Sequence, residues 1–173
     1  MDTLKAIAGR SSVRAYTDEQ VSAENLNTVL EAGCAAPVGM GQYDKMHITV
    51  VQDKGLLSRI SERVQQMMKR PGDPLYGAPT LIMISSAEMP MPGLDYADGS
   101  CIAENMQLAA MELGLGSVII WAAGIAANAD PELKKDLGIP DGNKAVISIV
   151  LGTPAVQPPE KKLGVTIDVN YVR

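Results

Sequence analysis

The chain has 173 residues, of which 46% are hydrophobic and 20% are charged, a composition typical of one globular domain over residues 1–173. Its formal net charge of −5 argues against nucleic-acid binding, which needs a basic face. No apolar run reaches membrane-spanning length, and the N-terminus has an early acid without a long apolar core. We therefore expect neither a membrane span nor a signal peptide, but a cytoplasmic protein.

The sequence offers little material for a metal centre or a nucleophile. Cys34 and Cys101 are its two cysteines, and their separation predicts buried thiols rather than a disulfide or a metal pair. The single histidine, His47, excludes a multi-histidine metal site and is predicted to be a satisfied core or edge residue. Cys101 lies near a helix start, but its predicted burial argues against catalysis. We expect no metal site.

Hydrophobic periodicity divides the chain into alternating helices and strands. The predicted elements, in chain order, are a helix capped by Asp2 or Thr3 and ended by Gly9, a helix from Ser22 to about Cys34, a strand over 46–52, a helix over 53–69, a strand over 81–84, a helix over 100–113, a strand over 117–121, a helix opened by Asp130 and ended by Gly138, and a strand over 145–151. This alternation predicts an α/β or α+β domain in layers and leaves the strand order open.

The stretch 95–121 organises the rest of the chain. Its predicted helix has an apolar face but no clean polar one, because Leu108 and Met111 interrupt the polar side. Such a helix is covered on more than one side, as in a domain core or a dimer core. The tail over 164–171 alternates apolar and polar residues, which predicts an edge strand that a partner's sheet could receive.

The sharpest candidate for chemistry is Arg10-Ser11-Ser12-Val13-Arg14. Two guanidinium groups and two hydroxyls converge just past a predicted helix end, and they match the charge and geometry of a phosphate. A solvated basic turn explains the same residues, and the cluster alone favours that simpler interpretation. Lys161-Lys162, by itself a solvated surface pair, could supply further positive charge to the same anion.

Other candidates are weaker. The glycines at 36–41 and 114–116 lack the G-x-G-x-x-G spacing of a dinucleotide fingerprint. No serine has histidine and acid partners for a catalytic triad. Trp121 and Tyr76 are predicted to be core residues rather than cofactor platforms. From its residues alone, the sequence predicts an acidic layered domain with one candidate anion site.

Five stretches, taken together, resemble motifs of the FMN-dependent nitroreductase family. In chain order they are Arg10-Ser11-Ser12-Val13-Arg14-Ala15-Tyr16 (R-x-S-x-R-x-[FY]), Ala36-Pro37-Val38-Gly39-Met40 (A-P-S-G-M), Tyr76-Gly77-Ala78-Pro79 before a buried strand (G-A-P), residues 105–117 (N-M-x-L-A-A-x-x-L-G-L-G-S), and Gly152-x-Pro154 before Lys161-Lys162. Each motif is weak alone, but the ordered set spans nearly the whole chain and is specific.

The resemblance implies an α+β, three-layer fold with a central mixed sheet, flanking helices and an intertwined homodimer. Two FMN sites would lie at the subunit interface. NAD(P)H would reduce the flavin through its N5 in a ping-pong reaction, and a nitroaromatic, quinone or similar acceptor would then take the hydride. The flavin would carry the chemistry, so no side chain is expected to be catalytic.

The resemblance also implies three groups of FMN-binding residues. One holds the phosphate and ribitol, with basic residues from the tail: Arg10, Ser12, Arg14, the Ser11 backbone, and Lys161 or Lys162. A second runs beside the ring, where a backbone N–H can reach N5: Ile119, Ile120, Trp121 and Ala122. A third contacts the ring from the other subunit: Pro37, Val38, Gly39 and Met40.

Two departures from the family pattern affect these expectations. The run Gly41–Met46 lacks the family's Asn and Trp, which puts flavin affinity or substrate choice in question. The segment before Tyr76 is short for the usual lid, so we expect an open site that the loop 89–92 partly covers. Arg63, Gln66 and Lys69 are all candidates to face the flavin pyrimidine edge.

Two alternative functions on the same fold stay open at this point. The altered run at 41–46 motivates a non-catalytic flavin-binding or regulatory protein, since a fold does not fix a function. Specialised flavin chemistry, such as reductive dehalogenation or flavin breakdown, has no specific support in the sequence.

Overall fold

The computed structural model describes residues 2–173, and its elements alternate as the hydrophobic pattern predicts. They are α1 (Thr3–Gly9), α2 (Ala23–Cys34), β1 (Met46–Val51), α3 (Lys54–Met68), β2 (Thr80–Ser86), α4 (Leu94–Glu112), β3 (Gly116–Ile119), α5 (Trp121–Asn128), α6 (Pro131–Asp136) and β4 (Lys144–Gly152). Among these residues, no helix is long and apolar enough to cross a membrane.

Polar side chains fix the start of four helices. Each accepts a hydrogen bond from a backbone N–H in the first turn of its helix: Asp2, Ser22, Asp53 and Asp130. Caps of this kind each stabilise a helix by about 1 kcal/mol. The structure therefore confirms the predicted caps at Asp2, Ser22 and Asp130.

The four strands form one sheet in the order β1-β2-β4-β3, and all three pairings are antiparallel. The α+β class is confirmed. We expected a sheet of mixed strand directions, but the four strands of the described chain are all antiparallel. A parallel bridge between Ser12 and Ser117 runs beside β3, outside the named strands. Strands covered on both faces read as continuous apolar runs in either direction, so the sequence pattern does not reveal how they pair.

Helices cover both faces of the sheet and make the three layers. Successive side chains of β2 alternate between the two cores: Met83 faces the core shared with α3, α5 and α6, and Ile84 faces the core shared with α2 and α4. All seven residues of β2 are buried. The sheet is thus the middle layer, as predicted.

The central helix, α4, begins six residues before the predicted start. Gly99 lies inside it because the helix packs closely on β4 there, and an added Cβ would lie 2.9 Å from Val146 Cγ2. One side, with Ile102 and Met106, is buried in the core. The opposite side, which includes Cys101 and Glu104, is exposed within a single chain.

Both cysteines are free and exposed, so the prediction of buried thiols is wrong for the single chain. Cys101 lies on the outer side of α4, and Cys34 is the last residue of α2. The sequence pattern placed both beside apolar residues, but a residue's position around a helix decides its burial, and both point away from the two cores.

The predicted strand over 117–121 is too long, and the helix that follows it was not predicted. The strand ends at Ile119, and Trp121 begins α5. Ile120 and Trp121 read as strand because a short apolar run fits a buried strand and a buried helix equally well. Alanines and a glycine then give α5 no polar side that would reveal its period.

The tail after residue 155 forms no strand within the chain, so an edge strand on the chain's own sheet is wrong. Its alternating apolar residues are exposed, with Val165 at 82% and Ile167 at 80% relative accessibility. Donation of this segment to a partner's sheet stays a prediction.

Candidate functional site

The segment from Arg10 to Tyr16 lies along β3. The Val13 N–H donates to the Ser117 carbonyl at 3.1 Å. Gly116 permits this contact, because a Cβ there would lie 2.9 Å from the Cβ of Val13. The Tyr16 hydroxyl donates to the Val13 carbonyl at 2.9 Å, and burial raises the pKa of Tyr16, which keeps the phenol neutral. These contacts hold the motif in one place.

A groove, which we call the N-terminal groove, opens where α1 ends. It has a cavity volume of about 220 Å³, and Arg10, Ser11 and Ser117 contribute to its lining. Lys5 also lines it, although the sequence analysis did not single that residue out. Its spacing could have indicated this role: Lys5 lies one helical turn before Gly9, so both residues face the same side of α1 and both line the groove.

The tail passes beside this groove, where Gln157, Pro158 and Glu160 line it, and Lys161 follows directly outside the lining. The Lys161 N–H donates to the Ala8 carbonyl at 2.9 Å, which fixes the tail beside the end of α1. Loss of hydration, and secondarily the charge of the Arg10 guanidinium, lower the pKa of Lys161.

The Arg10 Nε lies 3.5 Å from the Glu104 Oε1, and Glu160 lines the groove, so carboxylates partly balance the cations there. Lys5 and Arg10 are the basic residues of the lining, and with Ser11 they offer hydrogen-bond donors to an anion.

The structure does not bring every predicted phosphate residue to this groove. Ser12 is exposed and lies outside the groove lining, as do Arg14, Lys161 and Lys162. The Arg14 guanidinium donates to the Ser12 carbonyl at 3.4 Å and lies 6.0 Å from the centroid of the Tyr76 ring. Of the original motif, Arg10 and Ser11 reach the groove directly.

A second opening, which we call the aromatic cleft, lies at the other end of β3. It has a cavity volume of about 510 Å³ and is lined by Tyr76, Trp121, Val64, Met68 and Arg70, together with the stretch 119–122. The whole predicted ring-edge group of Ile119, Ile120, Trp121 and Ala122 therefore lies in one wall of this cleft. The Ile120 N–H donates to the Ser148 carbonyl at 2.8 Å, which holds that wall to β4.

Tyr76 enters the cleft from a tight turn. Its φ of 59° is in the left-handed region, which costs a non-glycine residue about 1–3 kcal/mol. The Asp73 carboxylate holds the turn by accepting hydrogen bonds from the Ser61 hydroxyl and from the N–H groups of Leu75 and Gly77, at 2.7–2.9 Å. Tyr76 is half-buried and lines the cleft, so the prediction of a simple core residue is wrong.

Trp121 is also not a core residue, because it is 50% exposed. Its ring stacks on Tyr96 with centroids 5.3 Å apart. Lys144 lies over the Tyr96 ring, 4.8 Å from its centroid, and its ammonium forms an ion pair with the buried carboxylate of Asp95 at 2.5 Å. The Tyr96 ring thus contacts both the indole in the cleft wall and Lys144, whose ammonium pairs with the buried Asp95 carboxylate.

The third predicted group lies apart from both openings. Pro37, Val38, Gly39 and Met40 line neither the groove nor the cleft of their own chain. The Gly39 N–H donates to the buried Asp98 carboxylate at 3.0 Å, and Met40 has a φ of 56° and is 72% exposed. Pro37 and Met40 are exposed and Val38 is buried, and the contact of this turn with a ring in the other subunit stays a prediction.

None of the three candidates for the pyrimidine edge lines either opening. Arg63 forms an ion pair with Asp130 at 3.5 Å, and Gln66 and Lys69 are exposed elsewhere on α3 and at its end. Gln65 and Arg70 line the cleft instead. We expected the loop 89–92 to cover the site partly. The loop instead borders a separate depression beside Asp95 and does not line the aromatic cleft.

Comparison with known proteins assigns the class of protein. A model of the nitroreductase family matches residues 7–153, and the chain belongs to that family. The resemblance that the five motifs indicated is therefore confirmed.

Individual relatives agree with this assignment. The chain is 32% identical over 158 residues to a protein from Archaeoglobus fulgidus whose name assigns it, provisionally, as an NADH dehydrogenase/NAD(P)H nitroreductase; the match covers 88% of this chain and 86% of that protein. A nitroreductase from Bacteroides fragilis, solved with bound FMN, superposes with a TM-score of 0.85 at 31% identity, over 99% of this chain and 100% of that one. An FMN-bound nitroreductase from Desulfitobacterium hafniense gives 0.87 at 27% identity, over 100% of both chains.

Proposed function

We propose that this chain is an FMN-dependent oxidoreductase that uses NAD(P)H to reduce nitroaromatics, quinones or similar acceptors. One observation carries the proposal: a cationic groove and an aromatic cleft lie at the two ends of the same short strand, β3. At a rise of about 3.3 Å per residue, Ser117 and Ile120 are roughly 10 Å apart. A phosphate in the groove and a planar ring in the cleft could be joined by a chain of ribitol length.

The residues at both ends fit FMN. In the groove, Arg10 and Lys5 would supply positive charge for the phosphate, with Lys161 beside the groove, and a guanidinium matches phosphate oxygens in geometry. In the cleft, Trp121 and Ala122 are the first two residues of α5. Their backbone N–H groups have no carbonyl partner within the helix. Among residues 2–173, no side chain caps this helix start. These N–H groups are free to donate to a ring nitrogen of the flavin.

FMN held by the groove and the cleft would supply the redox chemistry, namely hydride transfer from NAD(P)H through N5 to an acceptor in ping-pong fashion. The chain's own residues bind and orient the reactants. Tyr76 and Trp121 provide flat apolar surfaces, and the constrained turn at Tyr76 reduces the entropy lost when a planar molecule binds. We propose no side-chain acid or base for hydride transfer.

We also propose that the chain acts as an intertwined homodimer. Three exposed features support this: the outer side of α4, the apolar tail with Val165 and Ile167, and the turn at Met40. A second copy would cover the first two and would place its turn 37–40 against the ring. Dimerisation would thereby complete two equal sites.

Anaerobic half-reactions test the proposed activity. The FMN-loaded protein should be bleached by NADH or NADPH, and a nitroaromatic or a quinone should restore the oxidised spectrum. Double-reciprocal plots of initial rate against one substrate, at several fixed concentrations of the other, should give parallel lines, as ping-pong kinetics requires. Bound FMN that stays oxidised with both nicotinamide donors would contradict the proposal.

A non-catalytic flavin-binding protein is the second candidate. The run Gly41–Met46 favours it, because it lacks the Asn and the Trp that the family usually carries there. In this chain the Tyr43 hydroxyl donates to the Ala36 carbonyl at 3.2 Å and closes the turn. FMN that is reduced by dithionite but by neither NADH nor NADPH would support this candidate.

A further inference from the structure

We infer that Ser148 is a positioning residue of the cofactor site, because its hydroxyl fixes the direction of the Trp121 backbone N–H. The inference rests on the proposed function, which gives this N–H to a nitrogen of the flavin ring. It goes beyond that function by naming a buried side chain that does not itself line the cleft. The link between the two residues is one peptide unit, formed by the carbonyl of Ile120 and the N–H of Trp121.

Ser148 is an unusual residue for its place in the sheet. It is the single polar residue in the run 145–151 of β4, and it is fully buried. It pairs with Met83 of β2, which belongs to the core shared with α3, α5 and α6. Cross-strand partners share one face of a sheet, so the Ser148 hydroxyl lies on the side from which α5 begins. A buried hydroxyl costs free energy unless it is hydrogen-bonded, so its partner indicates its role.

The partner is the backbone of Ile120, which Ser148 holds at both polar groups. The Ile120 N–H donates to the Ser148 carbonyl at 2.8 Å, and the Ser148 hydroxyl donates to the Ile120 carbonyl at 2.6 Å. The Ala123 N–H also donates to that carbonyl, but at 3.3 Å. The hydroxyl therefore makes the shorter of these two hydrogen bonds, and it comes from an interior strand of the sheet.

The direction of the Trp121 N–H follows from peptide geometry. The peptide between Ile120 and Trp121 is trans, so its C=O and N–H point in opposite directions. Because Ser148 holds the carbonyl toward β4, the N–H points away from β4. Within residues 2–173 this N–H donates to no acceptor. Trp121 lines the aromatic cleft, so the N–H is available to a ring bound there.

The same hydrogen bond should also influence the redox properties of a bound flavin. Hydrogen bonds in a chain polarise one another, so a hydroxyl on the carbonyl makes the N–H of the same peptide a stronger donor. Oxidised flavin offers an unprotonated N5 as an acceptor, whereas N5 of the reduced form carries a hydrogen. An N–H directed at N5 therefore stabilises the oxidised form more than the reduced form, which lowers the midpoint potential.

The direct test compares Ser148→Ala with Ser85→Ala. Ser85 is a matched control, because it is also fully buried in the sheet and its hydroxyl has no hydrogen-bond partner within residues 2–173. Ser148→Ala should weaken the binding of oxidised FMN about three- to tenfold, which is the scale of one hydrogen bond. Since reduced FMN should bind as before, the midpoint potential should rise by about 15–30 mV, because a tenfold change in a two-electron equilibrium is about 30 mV. Ser85→Ala should change neither quantity.

The midpoint potential separates positioning from stability. A role in packing alone would weaken the binding of both redox forms equally and leave the potential unchanged, and that result would overturn the inference. A fall in the potential, or an equal rise in Ser85→Ala, would overturn it as well. Ser148→Cys replaces the hydroxyl by a weaker donor, so it should raise the potential by less, and it gives the same test if the alanine variant does not fold.

A second measurement observes the N–H itself, without turnover. Trp121 is the single tryptophan, so ¹⁵N-tryptophan labelling gives one backbone amide signal. In the FMN-loaded protein this amide should exchange slowly with solvent, and Ser148→Ala should speed the exchange several-fold; equal exchange rates would count against the inference.

Failure of the proposed function would appear differently. Bound FMN that neither nicotinamide donor reduces would contradict that function alone, because reduction by dithionite still gives the midpoint potential. A protein that binds no FMN would overturn both the function and the role of Ser148.

Discussion

Replacement of Arg10 by Ala should weaken FMN binding strongly. The Arg10 side chain is 22% exposed and lies in the groove that we assign to the phosphate. A hydrogen bond to a charged group contributes about 1.5–3 kcal/mol. Because each 1.4 kcal/mol corresponds to a factor of ten, the dissociation constant for FMN should rise about 10- to 150-fold.

The neighbouring carboxylate makes this prediction sharper. The Glu104 Oε1 lies 3.5 Å from the Arg10 Nε, so it competes with a phosphate for the same guanidinium. Its side chain is 50% exposed, and exposed ion pairs contribute about 0.2–1 kcal/mol. Glu104→Gln should therefore strengthen FMN binding by a few-fold at most. The two substitutions act in opposite directions on one site, which a general loss of stability cannot imitate.

The assay is a fluorescence titration of the flavin-free protein with FMN at low and high salt. Arg59→Ala is a suitable control, because Arg59 pairs with Asp136 on the surface and does not line the groove. An Arg10→Ala variant that retains FMN with unchanged affinity would refute the assignment of the groove. Weaker binding in Glu104→Gln would refute the proposed competition.

Two further predictions concern the elements that hold the site. Gly116→Ala should destabilise the protein by about 1–3 kcal/mol in urea unfolding, because the new Cβ would lie 2.9 Å from the Val13 side chain. Gly124→Ala is the control, because its Cβ would make ordinary contacts at 3.6 Å. An equal loss of stability in both variants would contradict the packing argument. Lys144→Met should cost about 1 kcal/mol at neutral pH. The hydrogen bond with Asp95 raises the pKa of Lys144, so its stabilisation is complete below the ordinary value of 10.5 and is lost as the pH rises through the raised value. The difference in unfolding free energy between the two proteins should shrink at strongly alkaline pH, and a difference that stays constant would rule out this ion pair as its source.

The sequence predicts the layers of this fold well and its sheet less well. Caps such as Ser22 and Asp130 mark helix starts by a local interaction, so they can be recognised without knowledge of the tertiary structure. The direction of strand pairing depends on which buried runs meet in space, and periodicity carries no information about that. The start of α5 at Trp121 was missed because a short, wholly apolar helix has no polar side.

The residues of the candidate site were likewise predicted only in part. Arg10 was predicted as an anion ligand from the residues themselves and the stretch 119–122 from the resemblance, and the structure places them at the two ends of β3. Arg70 was not predicted, because a single arginine after a helix has no local pattern that distinguishes it from a solvated residue. The exposure of Cys101 and of the tail was also missed, since the sequence does not show which apolar surfaces a single chain leaves uncovered.

The most direct test of the whole account is a visible absorption spectrum of the freshly purified protein, with the released chromophore identified. The account predicts an oxidised-flavin spectrum, FMN in the supernatant after denaturation, and bleaching by NADH or NADPH under anaerobic conditions. A protein that is colourless as purified, and that stays colourless after incubation with FMN and removal of the excess, would contradict it.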